Sequence, residues 1–119
     1  MAEGKLVKVA ELESYCPPKH IDMDTWAIIN KNTVGAELVG FVLTEIRPGG
    51  EAEEDTHPGV EHGYFMISGV GEALVEGEKF IVNPNECLWI PPGARHGIKP
   101  VGKESIRFLV FSARPPSKG

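Results

Sequence analysis

The sequence predicts an all-β domain that closes into a sandwich or barrel, and three observations carry that reading. Gly (14) and Pro (10) break the 119 residues at short intervals, the rhythm of short strands joined by turns. Between the breaks stand short alternating or apolar runs. No segment keeps a helical apolar period for three turns. With no helices to cover a sheet, the strands must cover one another.

A short N-terminal extension comes first, with a strand-like stretch at Lys5–Val9. Ala10–Ser14 fits one helical turn, stopped by Pro17-Pro18. Strands are then predicted over Trp26–Asn30, Ala36–Arg47, Gly63–Ile67, Gly71–Val75, Lys79–Val82, Cys87–Ile90 and Ser105–Ser112. The clearest hairpin joins Ala73–Val75 to Phe80–Val82 through Glu76-Gly77-Glu78. In the last strand, Ile106, Phe108 and Val110 alternate with Arg107, Leu109 and Phe111. Both sets are largely apolar, which predicts a strand covered on both faces. Arg114–Gly119 reads as a short frayed tail. With no repeat and no linker, residues 1–119 read as a single domain whose barrel core spans about 36–112.

Composition excludes several function classes. The formal net charge is −5, from 17 acidic and 12 basic residues. The basic residues are scattered, which argues against a nucleic-acid partner, because phosphate binding needs clustered positive charge. The acidic run Glu51–Asp55 reads at Glu53 and Glu54 as a solvated turn. No apolar run approaches the roughly 18 residues of a membrane span, and the polar start Met1–Lys8 does not read as a secretory signal. The expectation is a soluble, cytoplasmic protein with no membrane partner. Cys16 and Cys87 are too far apart in sequence to suggest a disulfide framework or a CxxC metal site. Cys87, in an apolar run, reads as a small buried hydrophobe.

The chemistry concentrates in the histidines, of which there are four: His20, His57, His62 and His96. Two of them lie with Asp55 in Asp55-Thr56-His57-Pro58-Gly59-Val60-Glu61-His62. On a strand, residues i and i+2 face the same way, so Asp55 and His57 share a face. Pro58-Gly59 then reverses the chain and brings His62 alongside. His96 follows a second rigid turn, Pro91-Pro92-Gly93. Neutral imidazoles converging from separate strands suit a first-row transition metal.

These residues also resemble the cupin family. Its first motif runs Gly, five residues, His-x-His, three or four residues, Glu, six residues, Gly. Here Gly49, five residues, Asp55, one residue, His57, four residues, His62, six residues and Gly69 keep every spacing. Pro91-Pro92-Gly93-Ala94-Arg95-His96 is similar to the second motif, Pro-x-Gly-x-x-His, after fifteen intervening residues, Val70–Pro84. There are departures. Asp55 stands where the family has its first histidine, and His62 where it has glutamate. Asn85 replaces a glycine, and asparagine is the next-best residue for positive φ. Pro100 replaces the final asparagine.

The resemblance implies a single cupin barrel (a double-stranded β-helix, or jelly roll) holding one divalent ion of Fe, Mn, Ni, Co or Zn. His57, His62 and His96 would be ligands, and Asp55 a fourth ligand or an orienting base. If His62 faces inward, so do Tyr64 and Met66, and Tyr64 becomes a candidate proton donor or substrate contact. Glu61 then points away. Arg95 reads as a rim charge, Trp89 as core or pocket wall, and His20 as incidental. The implied function is a metal-dependent enzyme acting on a small oxygenated molecule by oxygenase-type chemistry. A lyase, decarboxylase or isomerase stands as the alternative, as does a non-enzymatic small-molecule-binding or sensing barrel. The resemblance also implies a homodimer, with Lys5–Val9 and Trp26–Ile29 as the stretches available to a partner's sheet.

Overall fold

In the computed structural model, which describes residues 3–114, eight strands form one curled sheet. They are β1 (His20–Ile29), β2 (Val39–Asp55), β3 (Glu61–Ser68), β4 (Gly71–Val75), β5 (Glu78–Val82), β6 (Cys87–Ile90), β7 (His96–Pro100) and β8 (Ile106–Ala113). Neighbours follow the order β5-β4-β7-β2-β8-β3-β6, with β1 pairing along β2. The arrangement is the jelly-roll barrel that the motifs imply. No helix among the described residues is long and apolar enough to cross a membrane.

β2 creates the barrel by belonging to two walls. Residues 39–46 pair with β8, whereas Ala52 and Asp55 pair with β7. Pro48-Gly49-Gly50 makes the bend between them, and Gly49 takes φ 87°, a left-handed conformation that strains any residue with a side chain. Arg47, just before the bend, donates to Asp22 Oδ1 at 2.7 Å and to Asp24 Oδ2 at 2.8 Å. Both acceptors lie on β1, so β1 follows β2 around the corner. These groups are partly solvent-exposed, and their contribution is mainly to shape.

One wall thus contains β1, the first half of β2, β8, β3 and β6. The other contains the second half of β2, β7, β4 and β5. Between them Ile46 faces Ile106, and Thr44, Phe108 and Met66 form the next cross-strand row. Ala52, Ala73, Val82 and Ile98 close the core from the opposite wall. Each large side chain buried here contributes about 1.5–3 kcal/mol. β5 and β6, at the two ends of the path, do not pair. Asn85 spans their seam at φ 68°, the left-handed conformation expected of a residue standing for glycine. Its N–H donates to Met66 O at 2.8 Å, and Met66 N–H donates to Glu86 O at 3.0 Å.

The predicted β4 and β6 are observed with the same limits. The hairpin after β4 turns on Glu76-Gly77 alone, both at positive φ, because Glu78 already pairs with Val75. β1 begins well before the predicted Trp26, and β2 runs through the glycines to Asp55. β7 is a strand that the sequence reading missed. Its run His96-Gly97-Ile98-Lys99-Pro100 carries one large apolar residue and two strand breakers. It survives because Gly97 has no Cβ, which would stand 2.8 Å from Ala52 O where β2 bulges.

Other expectations are corrected. Lys5–Val9 is not a strand: residues 5–8 are irregular and Val9–Glu11 forms a single 3-10 turn. Lys31–Val34 forms a short helical turn, α1, capped by Asn30. Cys87 is exposed rather than buried, since it lies on the outward side of β6; it and Cys16 are both free. Of the predicted tail, Arg114 is irregular and exposed, and residues 115–119 lie outside the described residues.

Candidate metal centre

Two turns at one end of the barrel deliver three imidazoles to one place. β2 ends at Asp55, so His57 sits in the following turn rather than on the strand face it was expected to share with Asp55. Val60 N–H donates to His57 O at 3.2 Å and Gly59 takes φ 74°, which starts β3 at Glu61. Along β3, His62, Tyr64 and Met66 turn inward as the alternation predicts. Glu61 turns outward and accepts a bond from Trp89 Nε1 at 2.8 Å. His96 opens β7 after a turn closed by Ala94 N–H to Pro91 O at 3.2 Å.

The ring centroids of His57 and His62 lie 5.0 Å apart, those of His57 and His96 5.3 Å, and those of His62 and His96 5.3 Å. Imidazoles bound to one ion at 2.0–2.1 Å place their centroids about 4.5–5.2 Å apart, from octahedral to tetrahedral angles. The triangle is therefore of ligating size and slightly open. As placed, no group of three or more His, Cys, Asp or Glu side chains among the described residues could hold a metal ion, so the three rings would have to close in to ligate one. His96 is buried, and its Nδ1 lies 2.8 Å from Ala94 O. A carbonyl can only accept, so Nδ1 carries the proton, leaving the lone pair of the neutral ring on Nε2.

The electrostatics keep His57 and His62 uncharged. Burial, with the neighbouring His57 and His96, lowers the pKa of His62 from 6.5 to about 4. His57 is also lowered, first by burial and then by His96 and His20, against an opposing pull from Asp55. Uncharged imidazole is the form that donates to a metal.

Asp55 lies opposite His96 in the β2–β7 register, so the two share a face. Its Oδ1 accepts Thr56 N–H at 2.8 Å and lies 3.6 Å from Lys19 Nζ. Led by the Thr56 bond, these contacts hold its carboxyl below the usual range, and it stays ionised. Tyr64 is buried, with its ring 6.2 Å from His96 and 5.2 Å from Phe108. Burial raises its phenol, which therefore keeps its proton. Arg95 is exposed and committed to Glu54 at 2.7 Å. Trp89 is neither core nor pocket wall, because it faces outward from β6 and is 58% exposed.

Two neighbours of the site, Lys19 and Ser112, escaped the sequence reading, and a third, His20, was read as incidental although it reaches the field of His57. Lys19 and His20 arrive because the start of β1 pairs back onto β2 beside Ala52. That pairing spans more than thirty residues of sequence, and no local signal announces it. Ser112 was legible. It continues the inward set Ile106, Phe108 and Val110, and it pairs with both His62 and Gly40. A cavity of about 620 Å3 opens at this end, lined by Asn30, Lys31, Gly40 and Arg114 among others. It touches none of the three histidines and is not their pocket.

Comparison with known proteins follows this geometry. The Cupin domain family profile matches residues 42–112. The polyketide synthase protein CurC of Streptomyces cyaneus is 32% identical over 111 residues, covering 93% of this chain and 70% of that protein. Among solved structures, the polyketide cyclase RemF from Streptomyces resistomycificus superposes with a TM-score of 0.80 at 24% identity, covering 96% of this chain and 83% of that one. A predicted oxalate decarboxylase from Thermotoga maritima gives a TM-score of 0.80 at 16% identity, covering 93% and 100%. At these identities the structural likenesses are of fold alone.

Proposed function

The chain belongs to the cupin family, and from that premise we propose that it is a metal-dependent enzyme acting on a small poly-oxo molecule of the polyketide type. The observation that carries the proposal is the triangle of His57, His62 and His96 at 5.0–5.3 Å. Three imidazoles, with His62 half-buried and its pKa lowered by that burial, form a donor set that a divalent transition ion would fit once small ring rotations closed it. A bound ion would supply Lewis acidity to a substrate carbonyl oxygen.

The chain's own residues have separate tasks. His96 is locked in one tautomer by Ala94 O. Asp55, ionised and tied to Thr56 N–H, orients the site and biases His57 electrostatically. Its lowered pKa makes it a weak base, so positioning suits it better than proton abstraction. Tyr64 keeps its proton, and with its ring edge-on to that of His96 at 6.2 Å it is the candidate hydrogen-bond donor to a substrate. Val110 and Leu88, cross-strand partners of Tyr64, give that side of the site apolar walls that limit water.

Sequence likeness to the polyketide synthase protein CurC favours non-oxidative chemistry of the polyketide type, such as a ring closure in which an enol carbon adds to a carbonyl and water is lost. The three-imidazole donor set favours oxygenase chemistry as the second reading. One experiment separates them. The metal-loaded protein is given a poly-β-oxo thioester, with product mass and dissolved oxygen followed together. Loss of one water without oxygen uptake supports cyclisation, and a gain of oxygen atoms with uptake supports oxygenation. Binding without turnover would reject both in favour of a sensing barrel.

A further inference from the structure

β1 reverses its own alternation near its start. Met23 is buried in the barrel core, so a regular strand would turn Ile21 inward and His20 outward. The structure has the opposite. The β1–β2 register shifts between Ile21 and Met23, and Asp22 between them takes φ 51°. This kink leaves Ile21 47% exposed and His20 half-buried. His20 stands opposite Ala52, a core residue, and opposed residues of an antiparallel pair share a face. The imidazole therefore faces the barrel interior. Arg47 grips Asp22 Oδ1 at 2.7 Å, and Gly50 makes room, since a Cβ there would meet Ile21 O and stand 2.7 Å from Asp22 O. Lys19 is also left-handed, at φ 64°, and its carbonyl accepts Glu53 N–H at 3.0 Å. Left-handed backbone at two non-glycine residues so close together is strain that persists only where the surroundings impose it. Irregularities of this kind re-aim a side chain beside active sites, and the side chain re-aimed here is His20. Its Nδ1 lies 2.7 Å from Pro18 O. The carbonyl accepts, so Nδ1 carries the proton and Nε2 keeps the lone pair, as at His96, where Ala94 O plays the same part. His20 is also near enough to His57 to act on its charge.

We infer that His20 is the general base of the ring closure proposed above, taking a proton from the carbon between two carbonyls. The inference rests on that reading of the site. Such a reaction needs a base, and imidazole is the side chain that most often serves as one. The other groups at hand are unsuited. Asp55 is held ionised and is a weak base, and Tyr64 already carries its proton. The lone pairs of His57, His62 and His96 are those of the donor set. Of the four histidines, only His20 has one to spare. The protons balance with Tyr64 as the partner acid. His20 Nε2 takes the proton, and the C–H electron pair moves into the adjacent carbonyl as an enolate. The enolate carbon bonds to a distant carbonyl carbon, whose oxygen takes the displaced pair and the Tyr64 proton. In the loss of water, His20 returns its proton to that hydroxyl as the C–O bond breaks. The tyrosinate takes the second proton from the former enolate carbon, whose C–H pair becomes the new C=C bond. Both side chains are restored and one water leaves.

The test uses the metal-loaded full chain with a poly-β-oxo thioester and with a 2-alkyl-3-oxo thioester, whose single C-2 proton exchanges with D2O without any ring closure. His20→Gln should lower both enzyme-dependent exchange and ring closure by roughly 100–10,000-fold, with metal content by elemental analysis unchanged. In His20→Ala, added imidazole should restore exchange in proportion to its concentration, which a merely structural loss would not allow, and it should leave the wild type unaffected. Asp22→Val, whose branched side chain resists the left-handed conformation, should lose exchange, while Asp22→Gly keeps it. Undiminished exchange in His20→Gln overturns the assignment and leaves the ring closure standing. Exchange that is lost in His20→Ala and not restored by imidazole overturns it too. Equal exchange in the two Asp22 variants overturns the kink as the device that aims the base. A wild type that exchanges the proton but closes no ring, with exchange lost in His20→Gln, overturns the cyclisation and supports His20 as the base of another carbon-acid reaction. A wild type that does neither overturns both.

Discussion

The interior of the barrel has two ends made from the same strands, and they are built for different work. At one end Ile46, Met66, Ile106 and Phe108 are at most 2% exposed and pack in a mainly apolar cluster. At the other, two to four residues further along β3 and β8, stand His62, Tyr64 and Ser112, with His57 and His96 from adjacent turns. The dry end is densely packed and holds the strands in register. The polar end gives up packing: His57 is exposed and His62 half-buried, while His96 stays buried beneath them. The difference shows that rigidity and reactivity here are separated along the strands rather than between the walls. A site on turns is held to within ångströms because a closed core lies directly beneath it.

That separation can be broken from the dry end first. Phe108→Ala should cost about 3–5 kcal/mol, read from urea unfolding, because the surrounding strands cannot collapse into the space. Metal stoichiometry should be unaffected while the protein stays folded. A loss below about 1 kcal/mol would show that this end is not where stability resides.

From the polar end the expected loss is of metal. His57→Ala with His96→Ala should take the metal content from about one ion per chain to none, with a smaller change in unfolding free energy than Phe108→Ala. Unchanged metal content by elemental analysis would remove these histidines from the site. His62→Glu sharpens the assignment, since the first motif carries a carboxylate at this spacing. It should still bind metal, with preference shifted toward Mn or Fe, whereas His62→Leu should bind poorly. Equal loss in both would remove His62 from the ligand set.

Smaller effects follow for the residues around the triangle. Asp55→Ala should weaken metal affinity by roughly 10–100-fold in a chelator competition, as expected of a group that orients ligands. Complete loss would make Asp55 a ligand in its own right. The shallowest effect is on pH dependence. Folding lowers His62 from 6.5 to about 4, so between those values the unfolded chain binds more protons and stability rises with pH. The metal-free protein should therefore lose stability as pH falls from 6.5 toward 4, and His62→Gln should flatten that slope in thermal melts. The half-buried ring makes the slope modest.

Much of this was legible from local pattern because the relevant physics is local. Strand alternation put His62, Tyr64 and Met66 on one face and Glu61 on the other, and the register agrees. Asn85 was assigned a left-handed turn and takes φ 68°. A Pro-Gly turn placed His57 beside His62, and the resemblance to the second motif joined His96 to them, whose ring lies 5.3 Å from both. Where a long-range partner decided the outcome, the reading failed. β7 is held by the bulge in β2 and not by its own propensity. Trp89 and Cys87 sit in an apolar run that reads as core, but period-two alternation does not say which face of a strand the barrel encloses.

The sequence by itself determined the all-β class, the turn positions and the identity of the imidazole cluster, because turn chemistry and spacing act over a few residues. Tertiary structure alone decided that β1 folds back to bring Lys19 to Asp55 and His20 into the field of His57. It alone decided that β2 serves two walls, and that one outer face is charged while the other is aromatic. Those outcomes depend on which strands become neighbours, and closure of the sheet sets that only once the whole chain is in place.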